Sequence, residues 1–325
     1  MNDLRATVVI CTRNRAQVLG RALESFTQLR VPAGTRWEVL VVDNGSTDDT
    51  PASIARYGER LPLRATYEPE PGLSHARNRA VAEARGEYLI WIDDDAVPRS
   101  EWLTEYLSAF DTYPNAAIFG GPIDVAFDGQ LPAWFAEVLP RVAPLYGQRE
   151  LGNEPVALTA TEDSLPFGGN FATRATEQRR YAYDTSLGRH PAHPHRGSEE
   201  SKVILDMLRA GSSGRWLPHA RVTHRLDASR ASTTFIAEHS RAYGVFRAEY
   251  FPYPGTRVAG APLNTWWRAA CYAMRYAVTR RMSPPSVWIE DLIQRSEAFG
   301  NVTGLRAGSH APTVTTAAYP LRTRA

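Results

Sequence analysis

Four apolar, β-rich runs punctuate the first hundred residues, and helical patterns fill the intervals between them. Thr7-Val8-Val9-Ile10-Cys11 is apolar without alternation, as expected of a strand covered on both faces. Residues 16–29 then carry Val18, Leu19, Ala22, Leu23 and Phe26 at helical spacing. The second run, 37–42, ends at Asp43-Asn44-Gly45-Ser46. There Ser46 or Thr47 can cap a helix opening near Asp48 and Asp49, whose carboxylates suit its positive end. A third short strand fits 63–67, followed by a Pro/Gly turn and a helix over about 73–84. Residues 88–92, Tyr-Leu-Ile-Trp-Ile, are the most apolar of all and run straight into Asp93-Asp94-Asp95. This βαβαβαβ order predicts a parallel sheet wound with helices. Ligands of such sheets gather at the carboxyl ends of the strands, where Asp43 and the three aspartates stand.

Beyond Pro98 the pattern becomes mixed. Helix signals over 101–110 precede a strand at 116–119 and a loop-rich, proline-bearing stretch around Trp134. Residues 167–172 read as a strand whose Gly168 and Gly169 permit close backbone approach. Residues 198–210 read as a helix stopped by Gly211, and further helices fit 235–251, 265–282 and 285–299. The expected division is 1–232 as one α/β domain, with halves 1–98 and 99–232. A helical extension over 233–310 and a disordered tail over 311–325 complete it.

The chain has 325 residues, 43% of them hydrophobic and 22% charged, with net charge +2. That is ordinary globular composition, and it supplies no global field to draw in nucleic acid. The only cysteines, Cys11 and Cys271, make neither a disulfide framework nor a zinc site, which suits a reducing compartment. The apolar run at 6–11 is too short for a signal-peptide core, and no later run has the length of a membrane span. A cytoplasmic protein is expected.

Three adjacent carboxylates closing a buried strand raise one another's pKa, and a divalent cation relieves that conflict. Oxygen ligands favour Mg2+ or Mn2+ over zinc, and such a cation completes its shell with substrate phosphates. An isolated Asp-x-Asp is as often a solvated turn; the buried strand before this one favours the cation. A dinucleotide site is excluded, because Cys11-Thr12-Arg13-Asn14-Arg15 follows the first strand and no glycine appears before Gly20. The Walker pattern is absent as well.

The ordered segments Val9-Ile10-Cys11-Thr12-Arg13-Asn14-Arg15, Val42-Asp43-Asn44-Gly45-Ser46-Thr47-Asp48, Ala76-Arg77-Asn78-Arg79 and Gly86 through Asp95 resemble the family-2 inverting glycosyltransferases of the GT-A fold. The resemblance continues through Gly168-Gly169-Asn170, Leu187-Gly188, Ser198-Glu199-Glu200 and 218–224, and covers about residues 5–225. It implies a GT-A-type nucleotide-sugar-binding α/β sheet, Rossmann-like in its N-terminal half and mixed beyond. It also implies a nucleotide-diphosphate sugar donor, an Mn2+ or Mg2+ cofactor, and a glycan, lipid-linked or small-molecule acceptor.

By the same resemblance, Thr12 and Arg13 would line the base and ribose pocket, Asp43 and Asn44 would read the base edge, and Arg77 would lie near the pyrophosphate. Asp93 and Asp95 would hold the metal, Asp94 would stand on the donor side, and His224 would be a further ligand. The acidic pair opening the helix after Gly-Gly-Asn would hold the catalytic base, Glu200, with Glu199 just before it. Gly169, Asn170 and Trp134 are acceptor-site candidates, although Trp134 and Phe135 can equally pack in a core.

His190, His193 and His195 alternate with Pro191 and Pro194, which hold an extended segment, so a loop near the acceptor entrance is expected rather than a metal site. Residues 265–281 mix Trp266, Trp267, Tyr272 and Met274 with arginines, which suits either a packed subdomain or peripheral contact with the inner face of a membrane. Two rival functions are a sugar nucleotidyltransferase, which lacks its glycine-rich phosphate loop here, and a non-catalytic nucleotide-sugar or glycan-binding protein.

Overall fold

The computed structural model describes residues 4–192, 196–250 and 253–307. Chain order runs β1 Ala6–Thr12, α1 Ala16–Phe26, β2 Trp37–Asp43, α2 Thr50–Ala55, β3 Leu63–Tyr67, α3 Leu73–Glu83, β4 Tyr88–Ile92 and β5 Ala96–Pro98. There follow α4 Trp102–Thr112, β6 Ala116–Gly120, β7 Ile123–Asp128, α5 Ala133–Val142, β8 Ala157–Leu158, β9 Asn170–Arg174, α6 Ala175–Gln178 and α7 Glu199–Arg209. The chain continues through β10 Ser213–Trp216, β11 Val222–Asp227, α8 Thr233–Tyr250, β12 Arg257–Val258, β13 Ala261–Pro262, α9 Leu263–Met282 and α10 Pro285–Ala307.

Eight strands form one sheet in the order β3-β2-β1-β4-β9-β6-β10-β8. Its first half is parallel, as the continuous apolar runs demand, and β9 enters antiparallel between β4 and β6. The fold class is therefore the mixed α/β sheet expected. Every residue of β4 is buried, and one core cluster lies on each face of the sheet.

Register places the functional positions. Thr12 pairs with Asp43, so the ends of β1 and β2 are level. Ile92 pairs with Asn170, which brings the Gly168-Gly169 approach to β9 alongside Asp93. A second, three-stranded sheet, β5-β11-β7, sets His224 against Ala96. The Arg225 amide also donates to the Asp95 carbonyl at 2.8 Å. The acidic turn is thus clamped between two sheets.

Helix α2 begins one or two residues later than expected, and Ser46 and Thr47 do not cap it. Ser46 and the Thr47 amide are tied to Asn14, while Asp48 accepts from the Thr50 amide at 3.0 Å. The stretch around Trp134, expected as loop, contains α5; Pro132 before it and Pro140 in its last turn hide the helical spacing. Phe135 and Val138 of α5 share a core with Leu226, Ile236, Trp288 and Ile289, so the C-terminal helices are fused to the second sheet. Gly244 and Gly300 let α8 and α10 touch, since a methyl at 300 would stand 2.1 Å from the Arg241 carbonyl. Among the described residues no helix is long and apolar enough to cross a membrane. His193, His195 and the 311–325 tail lie outside the described residues.

Asn170 proves to be a structural hub rather than a group facing an acceptor. Its carbonyl oxygen accepts from Trp102 Nε1 at 2.8 Å and Tyr106 Oη at 3.0 Å; its amide donates to the carbonyls of Pro122 at 2.9 Å and Ala220 at 2.7 Å. Both ends of the amide are saturated inside the core. Replacing Asn170 with Ala would strand four buried partners, each worth about 1–3 kcal/mol when left unpaired. The expected outcome is a loss of about 3 kcal/mol or more in urea unfolding, with an unchanged donor KM in the folded fraction.

Candidate active site

At the end of β4 the three aspartates meet three different environments. Asp94 accepts from Thr12 Oγ1 at 2.7 Å and from Arg15 Nη1 at 2.5 Å. Asp95 accepts from Arg15 Nη2 at 2.7 Å and faces His224 Nε2 at 2.9 Å. Asp93 is half-buried, and no ion pair or hydrogen bond of its carboxylate is found among the described residues. Burial pushes Asp94 up to about 6, against the pull of Arg15. Burial would raise Asp95 too, but His224 and then Arg15 hold it well below the usual carboxylate range.

His224 reports the demand of this corner for positive charge. Its Nδ1 lies 2.8 Å from the Tyr146 carbonyl, which can only accept, so Nδ1 carries a proton. Nε2 faces the Asp95 carboxylate, another acceptor, so a second proton or a cation must stand between them. Burial alone would lower the pKa of His224, yet Asp95 outweighs it and raises it. No three His, Cys, Asp or Glu side chains form a ready-made metal cage among the described residues. One imidazole nitrogen, one buried carboxylate and one partnerless carboxylate still fit a Mn2+- or Mg2+-type site that takes its remaining oxygens from phosphate and water.

The end of β2 divides its two expected base-reading residues. Asn44 is committed to the backbone: Nδ2 donates to Glu68 O at 3.1 Å and Glu70 O at 2.6 Å, while Oδ1 accepts from the Gly72 amide at 2.8 Å. It pins the turn before α3 and is not free to read a base. Among the described residues Asp43 accepts through Oδ1 alone, from the Ser46 amide at 2.9 Å. Arg13 donates to the Asn44 carbonyl and lies across Gly45.

Arg77 is not where the resemblance put it. It is buried among Trp91, Phe171 and Tyr183, whose ring centroids lie 5.4–5.7 Å from its guanidinium carbon. Its Nε stands 3.4 Å from Glu199 Oε1, and its buried Nη1 has no partner. A group this enclosed cannot grip a diphosphate in the cleft; it sets the charge of the acid pair. Burial pushes Glu199 up to about 7, with Glu200 adding to the rise and Arg77 opposing it. Glu199 therefore points inward at the opening of α7, and half-buried Glu200 lies against Gly168. A methyl at Gly168 would stand 2.8 Å from Arg77 Nη2 and 2.9 Å from Glu200 Cδ; one at Gly169 would stand 3.0 Å from Asp93 Oδ2. The two glycines are the strip of backbone between the acid pair and the cation corner. Trp134 packs on Trp288 with ring centroids 5.5 Å apart.

Sequence reading missed two arginines. Arg15 lay inside the first motif and was given no role, yet it forks across Asp94 and Asp95. Arg230, just past β11, is half-buried and interacts electrostatically with Arg189, Asp95, Arg15 and Asp94. Burial and then Arg189 lower its pKa. Nothing in the sequence around Arg230 marked it; it reaches the site only through the β5–β11 pairing.

The mixed α/β sheet is that of GT-A glycosyltransferase structures. Residues 7–160 match the sequence profile of glycosyl transferase family 2. The succinoglycan biosynthesis protein ExoM of Rhizobium meliloti is 26% identical over 242 residues, 72% of this chain and 71% of that protein. The fold also matches a mannosyltransferase of Pyrobaculum calidifontis solved with GDP-Man and Mn2+, at TM-score 0.56 and 20% identity over 92% of this chain and 87% of that one. TarS 1–349 of S. aureus, solved with UDP, matches at TM-score 0.54 and 15% identity over 92% and 91%. Residues 7–160 are thus similar to glycosyl transferase family 2, and the fold is that of GT-A glycosyltransferase structures.

The Glu199 environment sets a pH dependence. Below about 7 the Glu199 carboxyl is protonated and leaves the Arg77 charge unbalanced; above about 7 Glu199 is ionised and balances Arg77. The expected kcat/KM rises with pH through about 7, and Glu199→Gln flattens that limb at a reduced rate. A limb left in place by Glu199→Gln, measured between about pH 6 and 8, would assign it to another group.

Proposed function

We propose that this glycosyltransferase moves a sugar from a nucleotide-diphosphate donor to an acceptor hydroxyl in one displacement, with inversion at the anomeric carbon and a divalent cation at the Asp93 corner. The observation that carries this reading is the backbone strip Gly168-Gly169, with Glu200 against one glycine and Asp93 against the next. A general base and a phosphate-holding corner at such spacing suit a sugar held between them.

In this reading Asp93, Asp95 and His224 hold Mn2+ or Mg2+, which when bound offsets the charge of the departing diphosphate. Arg230 and the exposed Arg189 take the diphosphate role first expected of Arg77. Asp43 accepts from the base edge, and Arg13 and Thr12 close that pocket, Thr12 by fixing Asp94. Glu200 removes the acceptor's hydroxyl proton as the oxygen attacks the anomeric carbon; the bond from that carbon to the diphosphate oxygen breaks on the opposite face. Arg77 and Glu199 act through Glu200 by fixing its position and local charge.

Residues 1–98 would bind the donor, 99–232 the acceptor, and 233–310 would brace the acceptor half. The ExoM likeness favours a growing polysaccharide or other glycoconjugate as acceptor. A cytoplasmic enzyme, working at the inner face of the membrane on a lipid-linked acceptor, accords with the free thiols Cys11 and Cys271.

Glu200→Gln should keep donor affinity and lose transfer by about 10²–10⁴-fold; unaltered turnover would remove Glu200 from the chemistry. Asp93→Ala combined with Asp95→Ala should abolish the manganese-dependent part of the thermal shift caused by a nucleotide sugar. A shift equally large in that double variant would show that the donor is held without the corner.

A further inference from the structure

Helix α9 is packed the wrong way round for a helix that faces only water. It meets α10 and its neighbours through Thr265, Ala269, Tyr276 and Thr279, with Thr279 donating to Asp291 at 2.9 Å. Its opposite face carries Leu263, Trp267, Met274, Val278 and Met282, which are 58%, 70%, 66%, 52% and 80% exposed. Those five are half of the ten large apolar side chains that stand exposed among the described residues. At about 100° per residue they fall within an arc of about 100°, a continuous stripe roughly 28 Å long. A surface helix ordinarily turns this stripe inward and its charges outward. Exposed Val258 extends the patch, because its carbonyl accepts from Trp266 Nε1 at 2.9 Å at the start of the helix.

The charges along α9 are all of one sign: Arg268, Arg275, Arg280 and Arg281, with no aspartate or glutamate in its twenty residues. Two of these are held on the protein side, Arg275 by Asp291 at 3.0 Å and Arg280 over the Trp288 ring at 4.4 Å. Arg268 is exposed beside the stripe, and Arg281 is exposed at its edge, on the line of Leu263.

We infer that the outward face of α9 is a docking surface for an anionic lipid bilayer, with the helix lying in the interface and its apolar stripe among the acyl chains. Trp267 suits the headgroup boundary, where an amphipathic ring is stable, and the arginines meet the negative surface potential. A second copy of the chain is a poorer occupant, since pairing two such faces brings arginines together with no carboxylate on either α9. Residues 308–325 are no better matched, because they contain Arg322 and Arg324 and no acidic side chain. The inference goes beyond the transfer reaction and does not depend on it: docking would bring the site to acceptors displayed at a membrane, but needs no donor or metal.

The test is co-sedimentation of the full chain with vesicles of phosphatidylcholine alone or mixed with phosphatidylglycerol, at low and at high salt. The expected result is binding to the mixed vesicles at low salt and at least about tenfold weaker binding at high salt, where surface charge is screened. Trp267→Glu with Met274→Glu should weaken it at least about tenfold more, with an unchanged thermal midpoint. Arg268→Glu with Arg281→Glu should weaken it while leaving the five apolar side chains in place. Three outcomes overturn the inference: no binding to phosphatidylglycerol vesicles at low salt, binding only after residues 308–325 are removed, or a dimer in sedimentation velocity that Trp267→Glu disperses while vesicles are ignored. Failure of glycosyl transfer would leave the vesicle result standing, and the reverse also holds.

Discussion

The guanidinium of Arg15, forked across Asp94 and Asp95, is the interaction on which the rest of the site rests. A wholly buried strand ends in three carboxylates, and the desolvation of even one unpaired buried charge costs several kcal/mol. One planar cation with two donors in a fixed geometry satisfies two of them at once, which a lysine could not do. That pairing keeps the turn compact enough for β5 to leave it immediately, and β5 in turn recruits β11. Removing the fork would delete two ion pairs at once and leave two buried carboxylates without their shared cation.

The antiparallel entry of β9 has a similar consequence on the other side of the turn. A parallel crossover strand would arrive from the far end of the sheet and place its loop away from the ligand edge. Because β9 runs against β4, the residues preceding it, Gly168 and Gly169, are delivered to the ligand edge. Asn170 then locks that arrival by bonding to α4 and to the carbonyls of Pro122 and Ala220. The acid pair at the start of α7 and the aspartates at the end of β4 are distant in sequence, and meet across two glycines because one strand is reversed.

What could be read from sequence divides along this line. Strands β1 to β4 and their helices were legible because burial on both faces writes itself as unbroken apolar runs, whose register follows from parallel pairing. Asp43, the aspartate cluster and the Glu199-Glu200 pair were legible as carboxylates in motif positions. Their partners were not. Motif position says nothing of which way a side chain turns, so Asn44 was expected to read a base and instead holds backbone, and Arg77 was expected in the cleft and instead lies in an aromatic cage. Helix α5 was lost to its prolines, and Arg230 to the absence of any local signal for a long-range pairing.

The charge arrangement that emerges constrains how a donor can be held. Arg15 is fully engaged by Asp94 and Asp95, and Arg77 is enclosed beside Glu199, so neither cation is available to a ligand. The corner therefore presents the half-buried carboxylate of Asp93 to any molecule that enters. A diphosphate brings further negative charge into the same space. Arg230 and Arg189 supply positive charge from the β11 side, but the β4 side offers only oxygen and one imidazole nitrogen. Two anionic surfaces in contact repel unless a cation lies between them, and the neutralising charge must sit where His224 Nε2 and Asp95 already share one. In the proposed reaction a divalent ion held by Asp95 and His224 would supply that charge when donor is bound. In the proposed reaction, metal and donor thus bind as one unit, because each removes the electrostatic obstacle to the other.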